Sequence, residues 1–220
     1  MELRNEPRVK LKFPVHNYTL LKTLLEGLNA KFTSEYDIVD YYFNLVGYKC
    51  KIRMMDGVED KGLVMDMASS RSNPKSNKPL ESLNVVIPDP KKVIDDLKDI
   101  IGLEGVIEKH REVWDLEKHR VQFYVDHIKH LGTFVNFLIF INENENRMNR
   151  FRVLQSIGIY LGFTNRDVFY CSSLDIMKAY QTEDKHGSIK CNIPELEAYK
   201  TIKEDTLSKF FEHRKNSDKN

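Results

Sequence analysis

Polar and apolar residues alternate with a period of two in several separate segments of the chain, the pattern of strands with one buried face. From Arg8 onward cations take every second position up to residue 12, and apolar residues take the positions between them. The dipeptide Asp56-Gly57 is typical of a hairpin turn between two such segments. The patterns predict eight strands, over residues 8–13, 37–44, 48–54, 61–67, 80–87, 106–115, 119–126 and 133–142.

Apolar residues recur at helical spacing in three further segments. The first, 17–30, begins at Asn17, a residue type suited to cap a helix, and the second begins at Pro90, a residue favoured in a first turn. The third covers residues 147–163. A charged helix is also predicted over residues 194–214.

A chain of 220 residues is long enough to bury a core in one sizeable domain with appendages. Hydrophobic residues are 41% of the chain and charged residues 30%, a balance typical of a folded globular protein. We therefore predict one α+β domain over residues 1–180, followed by a charged extension over 181–220 that is expected to be helical.

The overall charge gives no general attraction to nucleic acid or to anionic membranes, because 34 Lys and Arg residues face 33 Asp and Glu residues. Neither is therefore expected as a partner. The longest apolar run, residues 137–141, is far shorter than the roughly 18 to 20 residues of a membrane span. Because the amino terminus also lacks a signal-peptide pattern, the sequence predicts a cytoplasmic protein.

Local charge is more informative, because several predicted strands each present cations at a spacing of two. If these strands share one antiparallel sheet, their cations form a basic face that could bind phosphate groups. The alternative is the ordinary solvated face of a sheet with one buried side. The cations in question are Arg8, Lys10, Lys12, Lys49, Lys51, Arg53, Lys109, Arg111 and Arg120.

The order of predicted elements and a set of short motifs resemble the CYTH family of triphosphate tunnel proteins, which includes thiamine triphosphatases and class IV adenylyl cyclases. The resemblance covers residues 8 to about 177. The matching segments are Lys12-Phe-Pro-Val15, Tyr42-Phe-Asn44 with Gly47, Lys51-Ile-Arg53, Glu108-Lys-His-Arg111, Asp126, Leu131-Gly132 with Phe134, and Ser172-Ser-Leu-Asp175.

This resemblance implies an eight-stranded antiparallel barrel or tunnel with helices packed outside it. In that family cations inside the tunnel bind a triphosphate, and acidic residues hold Mg²⁺ or Mn²⁺. By resemblance, the phosphate-binding residues here are Lys10, Lys12, Lys51, Arg53, Lys109, Arg111 and Arg120, and the metal ligand is Asp126.

The sequence departs from the family at the acidic positions. Arg8 and Lys10 occupy the places of the family's first pair of glutamates, and Asn136 and Leu138 occupy the places of a second pair. Asp126 is the acid that remains. A single carboxylate is a poor anchor for Mg²⁺, which keeps most of its own waters.

Three functions follow from these patterns. In the first, the protein binds a triphosphate or another phosphate polyanion in a basic tunnel and has lost most or all metal-dependent catalysis. In the second, it is an active metal-dependent triphosphatase or adenylyl cyclase that uses Mg²⁺ or Mn²⁺. In the third, it is a non-enzymatic scaffold or interaction protein. The sequence assigns no catalytic residue and no oligomeric state.

Overall fold

A computed structural model describes residues 8–45, 48–55, 64–69, 89–142, 144–169 and 172–181. The described part is an α+β structure of strands and four α-helices. The strands are β1 (Arg8–Pro14), β2 (Lys31–Leu45), β3 (Tyr48–Met55), β4 (Val64–Ser69), β5 (Leu103–Leu116), β6 (Val121–Ile128) and β7 (Gly132–Phe140). The helices are α1 (Tyr18–Gly27), α2 (Pro90–Ile101), α3 (Arg147–Tyr160) and α4 (Ser173–Gln181).

The strands form one antiparallel sheet in the order β1-β7-β6-β5-β2-β3-β4. Strand β2 is the longest, and its register against β5 shifts at two points, between Phe32 and Ser34 and between Tyr42 and Phe43. Such irregularities bend a strand and increase its twist. The sheet is therefore curved where β2 pairs with β5.

The predicted eight-stranded closed barrel is not confirmed. Seven strands lie in the described part of the chain, and no backbone pairing between β1 and β4 is observed there. The strand predicted over residues 80–87 and the helix predicted over 194–214 lie outside the described residues. Closure with eight strands stays a prediction.

Three sequence predictions need correction. Strand β2 begins at Lys31 instead of residue 37, because pairing with β5 supplies backbone hydrogen bonds to a polar segment without alternation. Strand β6 begins at Val121, since residues 117–119 form a short 3₁₀ turn that ends at Arg120 in a left-handed conformation. In α2, Ile94 is the buried residue, whereas Ile100, expected to face inward, is 76% exposed.

The two faces of the sheet carry different side chains because strand residues alternate in direction. On the outer face, defined here by Leu11 and Phe137, apolar residues pack against α1 and α3. Helix α2 covers another part of that face, where Ile94 packs against Phe43 and Ile52. Helices α1, α2 and α3 thus cover one side of the sheet, and a polar cluster lies on the other side.

Helix α4 packs on the opposite, inner face. Its residues Leu174 and Ile176 contact an apolar group formed by Tyr42, Ile107, Ile128 and Phe134. Gly105 lets α4 approach closely, because a Cβ atom there would lie 2.5 Å from Leu174 Cδ1. Helix α4 therefore covers the apolar end of the inner face.

Within the described residues, no helix is both long and apolar enough to cross a membrane. Helix α4 ends at Gln181, next to the boundary predicted between the domain and its extension. The extension lies outside the described residues, so the predicted domain division stays a prediction.

Candidate functional site

The inner face of the sheet carries charged side chains at positions that the rest of the structure buries. Lys12, Lys109, Arg111, Asp40 and Asp126 are all buried, and the two aspartates are only 1% and 2% exposed. Charged residues are almost never fully buried unless they are paired. The burial of five charged side chains on one face indicates that they pair with one another in a common site.

Strand register explains how these residues meet. Lys12 on β1 lies opposite Asn136 on β7, and Asp126 on β6 lies opposite Arg111 on β5. Asp40 on β2 likewise lies opposite Arg53 on β3. Since residues directly opposite in an antiparallel pair have neighbouring side chains, the register alone creates the charge pairs.

Asp126 is at the centre of the densest part of the site. Arg111 donates from Nε to Oδ1 at 2.6 Å and from Nη2 to Oδ2 at 2.8 Å. Lys109 Nζ and Asn136 Nδ2 donate to the same Oδ2 at 3.2 and 3.1 Å. Burial alone would raise the pKa of the Asp126 carboxyl, but Arg111 and Lys109 outweigh it and hold that pKa far below its ordinary value.

Asp40 forms a second, parallel arrangement. Arg53 donates from Nε to Oδ1 at 2.6 Å and from Nη2 to Oδ2 at 2.8 Å, and Lys109 Nζ lies 3.5 Å from Oδ2. Burial opposes ionisation here too, yet Arg53, Lys51 and Lys109 hold the pKa of Asp40 well below its ordinary value. The two aspartates are therefore ionised counter-ions of the cations around them.

Lys109 lies between the two carboxylates and links the two arrangements. Its burial lowers the pKa of the ammonium to about 7; Asp126 and Asp40 favour the charged form, whereas Arg111 and Arg53 repel it. Lys109 is therefore partly deprotonated near neutral pH, unlike an ordinary lysine.

Lys10 on β1 is a further cation close to this site. Burial within the protein and repulsion from Lys12, Lys51, Arg111 and Lys109 lower its pKa well below the ordinary lysine value. Part of the Lys10 side chain nevertheless remains exposed to solvent, so a ligand can reach it.

In a flat sheet, five strand spacings of about 4.8 Å would hold Lys10 and Lys51 about 24 Å apart, beyond the reach of strong electrostatic interaction. An influence of Lys51 on Lys10 is therefore consistent with a sheet curved so that β1 and β3 lie closer than this.

The structure brings together six of the cations that the sequence singles out as phosphate ligands. Those on the inner face are Lys10, Lys12, Lys51, Arg53, Lys109 and Arg111. The alternation predicted for β1, β3 and β5 is confirmed, since Leu11 and Ile52 point to the opposite side and are buried there. Whether these cations bind phosphate stays a prediction.

Arg120 does not share this placement. It follows the 3₁₀ turn before β6 instead of lying in the strand, and its Nη1 atom lies 3.4 Å from Glu145 Oε2. The alternation that predicted Arg120 on the inner face fails because β6 begins at Val121, two residues later than the predicted start at 119.

Sequence reasoning missed three contributors to the site. Asp40 has the same inward direction as its neighbours two positions away on β2, Ile38 and Tyr42, and this spacing could have identified it. Tyr124 lies with its ring centre 4.4 Å from the Arg111 guanidinium carbon, a contact that also follows from alternation on β6. Ser173 accepts a hydrogen bond from Lys12 Nζ at 3.4 Å, which only the docking of α4 reveals.

The donor atoms described here do not fit Mg²⁺ or Mn²⁺, the ions that the CYTH resemblance implies. Both oxygens of Asp126 accept hydrogen bonds from cations, and Lys10 and Leu138 occupy two of the positions where acids are expected. Asn136 Oδ1 is buried without a hydrogen-bond partner among the described residues, but it is one neutral oxygen. Within those residues, no group of three or more His, Cys, Asp or Glu side chains could hold a metal ion.

Comparison with known proteins bears on the fold. No protein-family model and no curated protein matches the sequence. Among solved structures, the PH1012 protein from Pyrococcus horikoshii OT3 has a TM-score of 0.65 at 22% identity, covering 77% of this chain and 99% of its own.

A proposed adenylate cyclase from Vibrio parahaemolyticus has a TM-score of 0.63 at 14% identity, covering 80% of this chain and 100% of its own. A third structure is a proposed adenylyl cyclase from Hippeastrum, described as revealing a dominant triphosphatase activity. It has a TM-score of 0.51 at 14% identity, covering 80% of this chain and 94% of its own.

The described part of the chain therefore shares the fold of these structures. At these identities the likeness establishes the fold and not an activity.

Proposed function

We propose that this protein binds a triphosphate or longer polyphosphate anion on the inner face of its sheet and has lost most or all metal-dependent catalysis. The observation that carries the proposal is the convergence of six basic side chains around two carboxylates within the described residues. Such an excess of positive charge in a concave site favours an anion with several charges.

The two arginines are suited to this task because their positions are fixed before a ligand arrives. Arg53 and Arg111 each use Nε and Nη2 to bind an aspartate, and Nη1 takes no part in those hydrogen bonds. A guanidinium that is already oriented loses little side-chain entropy when it binds phosphate. The aspartates thus support phosphate binding although they are anions.

The catalytic part of the proposal depends on the acids. Metal ions accelerate phosphoryl transfer by several kcal/mol of transition-state stabilisation, and this requires carboxylates that are free to hold them. The Asp126 oxygens are instead hydrogen-bonded to Arg111, Lys109 and Asn136.

An active metal-dependent triphosphatase or adenylyl cyclase is the second candidate. It is favoured by the triphosphatase activity reported for the Hippeastrum structure and by the proposed cyclase from Vibrio parahaemolyticus. For this chain it would require acids outside the described residues, or a rearrangement that releases Asp40 and Asp126 from their arginines.

The test is a binding panel on the full chain in EDTA, by calorimetry and thermal shift, with tripolyphosphate, longer polyphosphate, ATP and thiamine triphosphate. We expect saturable binding of all these anions, weakened by salt, because fixed cations supply the attraction. Sulfate and citrate serve as anion controls with fewer negative charges than tripolyphosphate and should bind much more weakly. Absence of binding by every phosphate compound would contradict the proposal and leave the scaffold hypothesis.

A further inference from the structure

The carboxylates of this site have a geometry different from that of metal ligands. Asp126 and Asp40 each accept a parallel pair of hydrogen bonds from one arginine, and each also lies within 3.5 Å of Lys109 Nζ. A divalent ion bound by either carboxylate would displace one of these donors or bind the remaining lone pair of Oδ1 beside the guanidinium. In both cases the ion would lie next to a cation, at a cost in like-charge repulsion.

The positive charge of the inner face gives a second argument. The described inner face has more cations than carboxylates, and Lys10 and Lys12 lie close enough to repel each other. Attraction to this face therefore grows with the negative charge of the ligand. A bound Mg²⁺ cancels part of the charge of a polyphosphate and also occupies the oxygens that the arginines would contact.

We infer that the site takes the metal-free form of a polyphosphate, and that Mg²⁺ opposes binding by withdrawing the ligand. The inference rests on the proposed function and specifies the chemical form of its ligand. It reverses the role that the metal has in the family the fold resembles. Asp40 and Asp126 serve as positioning residues for Arg53 and Arg111.

The experiment is a calorimetric titration of the full chain with tripolyphosphate in EDTA, repeated at rising free Mg²⁺ with ionic strength held constant by KCl. When Mg²⁺ leaves about a tenth of the tripolyphosphate uncomplexed, the apparent Kd should rise about tenfold, since only the free fraction binds. An apparent Kd that is unchanged or lower under those conditions would overturn the inference while leaving the proposed function intact. No binding in either buffer would overturn both.

A variant distinguishes Mg²⁺ that complexes the ligand in solution from Mg²⁺ that binds to the protein at Asp126. In Asp126→Asn, the fold-increase of the apparent Kd caused by Mg²⁺ should equal that of the wild type, because the ion acts on the ligand in solution. A Mg²⁺ effect that differs by more than about threefold between the two proteins would place the ion at Asp126 and contradict the inference. The wild-type titration decides the question by itself if the variant does not fold.

Discussion

Arg111 and Asp126 lie directly opposite each other on β5 and β6, and the guanidinium and carboxylate meet through hydrogen bonds of 2.6 and 2.8 Å. The pair is buried, with Lys109 as a further donor to the same carboxylate. Asp126, the predicted metal ligand, is thus a counter-ion of Arg111 and Lys109, which are predicted phosphate ligands. A change to this ion pair should therefore affect the stability of the fold, the charge of the site and its ability to bind metal or phosphate.

Loss of this counter-ion should destabilise the protein. Asp126→Ala leaves Arg111 and Lys109 buried beside each other without their shared carboxylate, and breaking a buried pair from one side typically costs about 3 to 5 kcal/mol. The free energy of unfolding, measured by urea denaturation, should fall by about that amount. Asp95→Ala, on the exposed side of α2, is the matched control and should change it by less than about 0.5 kcal/mol. Equal losses in both variants would contradict the structural role of Asp126.

Charge reversal on the inner face should weaken binding of tripolyphosphate. Lys51 is partly exposed, so Lys51→Glu should fold while replacing an attractive charge near the ligand with a repulsive one. Since a charge-assisted contact contributes about 1.5 to 3 kcal/mol, the Kd measured by calorimetry in EDTA should rise at least about tenfold. Lys91→Glu makes the same change in net charge on exposed α2 and should alter the Kd less than about twofold. If the two variants bind alike, the ligand does not lie on the inner face.

Binding of a polyphosphate should draw protons from solution at pH 8. The pKa of Lys109 is lowered to about 7, so the ammonium is mostly deprotonated at pH 8, and a bound polyanion would raise that pKa again. Calorimetry in buffers of different ionisation enthalpy should therefore give net proton uptake by the complex.

In Lys109→Met the proton uptake should be smaller than in the wild type, because the group whose pKa is lowered to about 7 is gone. Identical uptake in the variant and the wild type would show that Lys109 does not titrate with the ligand.

The lowered pKa of Lys109 also makes the stability of the ligand-free protein depend on pH. Lys109 has a pKa of about 7 in the folded chain and an ordinary value near 10.4 in the unfolded chain. Between these values the unfolded state binds more protons, so the contribution of Lys109 to stability rises with pH from about 7 to about 10. In urea denaturation series over that range, Lys109→Met should rise less steeply than the wild type, and an equal slope would contradict the assignment.

Metal-dependent turnover should be negligible. Without carboxylates free to hold Mg²⁺ or Mn²⁺, the several kcal/mol of metal stabilisation in the transition state is lost, which slows the reaction by orders of magnitude. Release of phosphate, pyrophosphate or cyclic nucleotide from nucleoside and thiamine triphosphates is the measurement, with an active CYTH-type triphosphatase as the positive control. Robust turnover that requires the metal and disappears in Asp126→Ala would establish the second candidate function instead.

The sequence determined the faces of the strands. Alternation placed Lys12, Lys51, Lys109 and Arg111 on one side of their strands and Leu11 on the other, and the structure confirms this placement. Local chemistry suffices for that result, because side chains of a strand alternate whatever the strand pairs with. Alternation fails at Arg120, because this residue ends the 3₁₀ turn before β6 and is not part of the strand.

The tertiary structure decided which charges meet. Asp40 and Arg53 are 13 residues apart and Arg111 and Asp126 are 15 apart, but their pairing depends on register, and a slip of one residue would send either member to the other face. The contact of Lys12 with Ser173 spans 161 residues and depends on the docking of α4. A sequence shows which residue types are present and which way they face along a strand. It does not show whether an aspartate will be free to hold a metal or neutralised by an arginine, because that depends on distances of a few ångström set by the packing of the whole sheet.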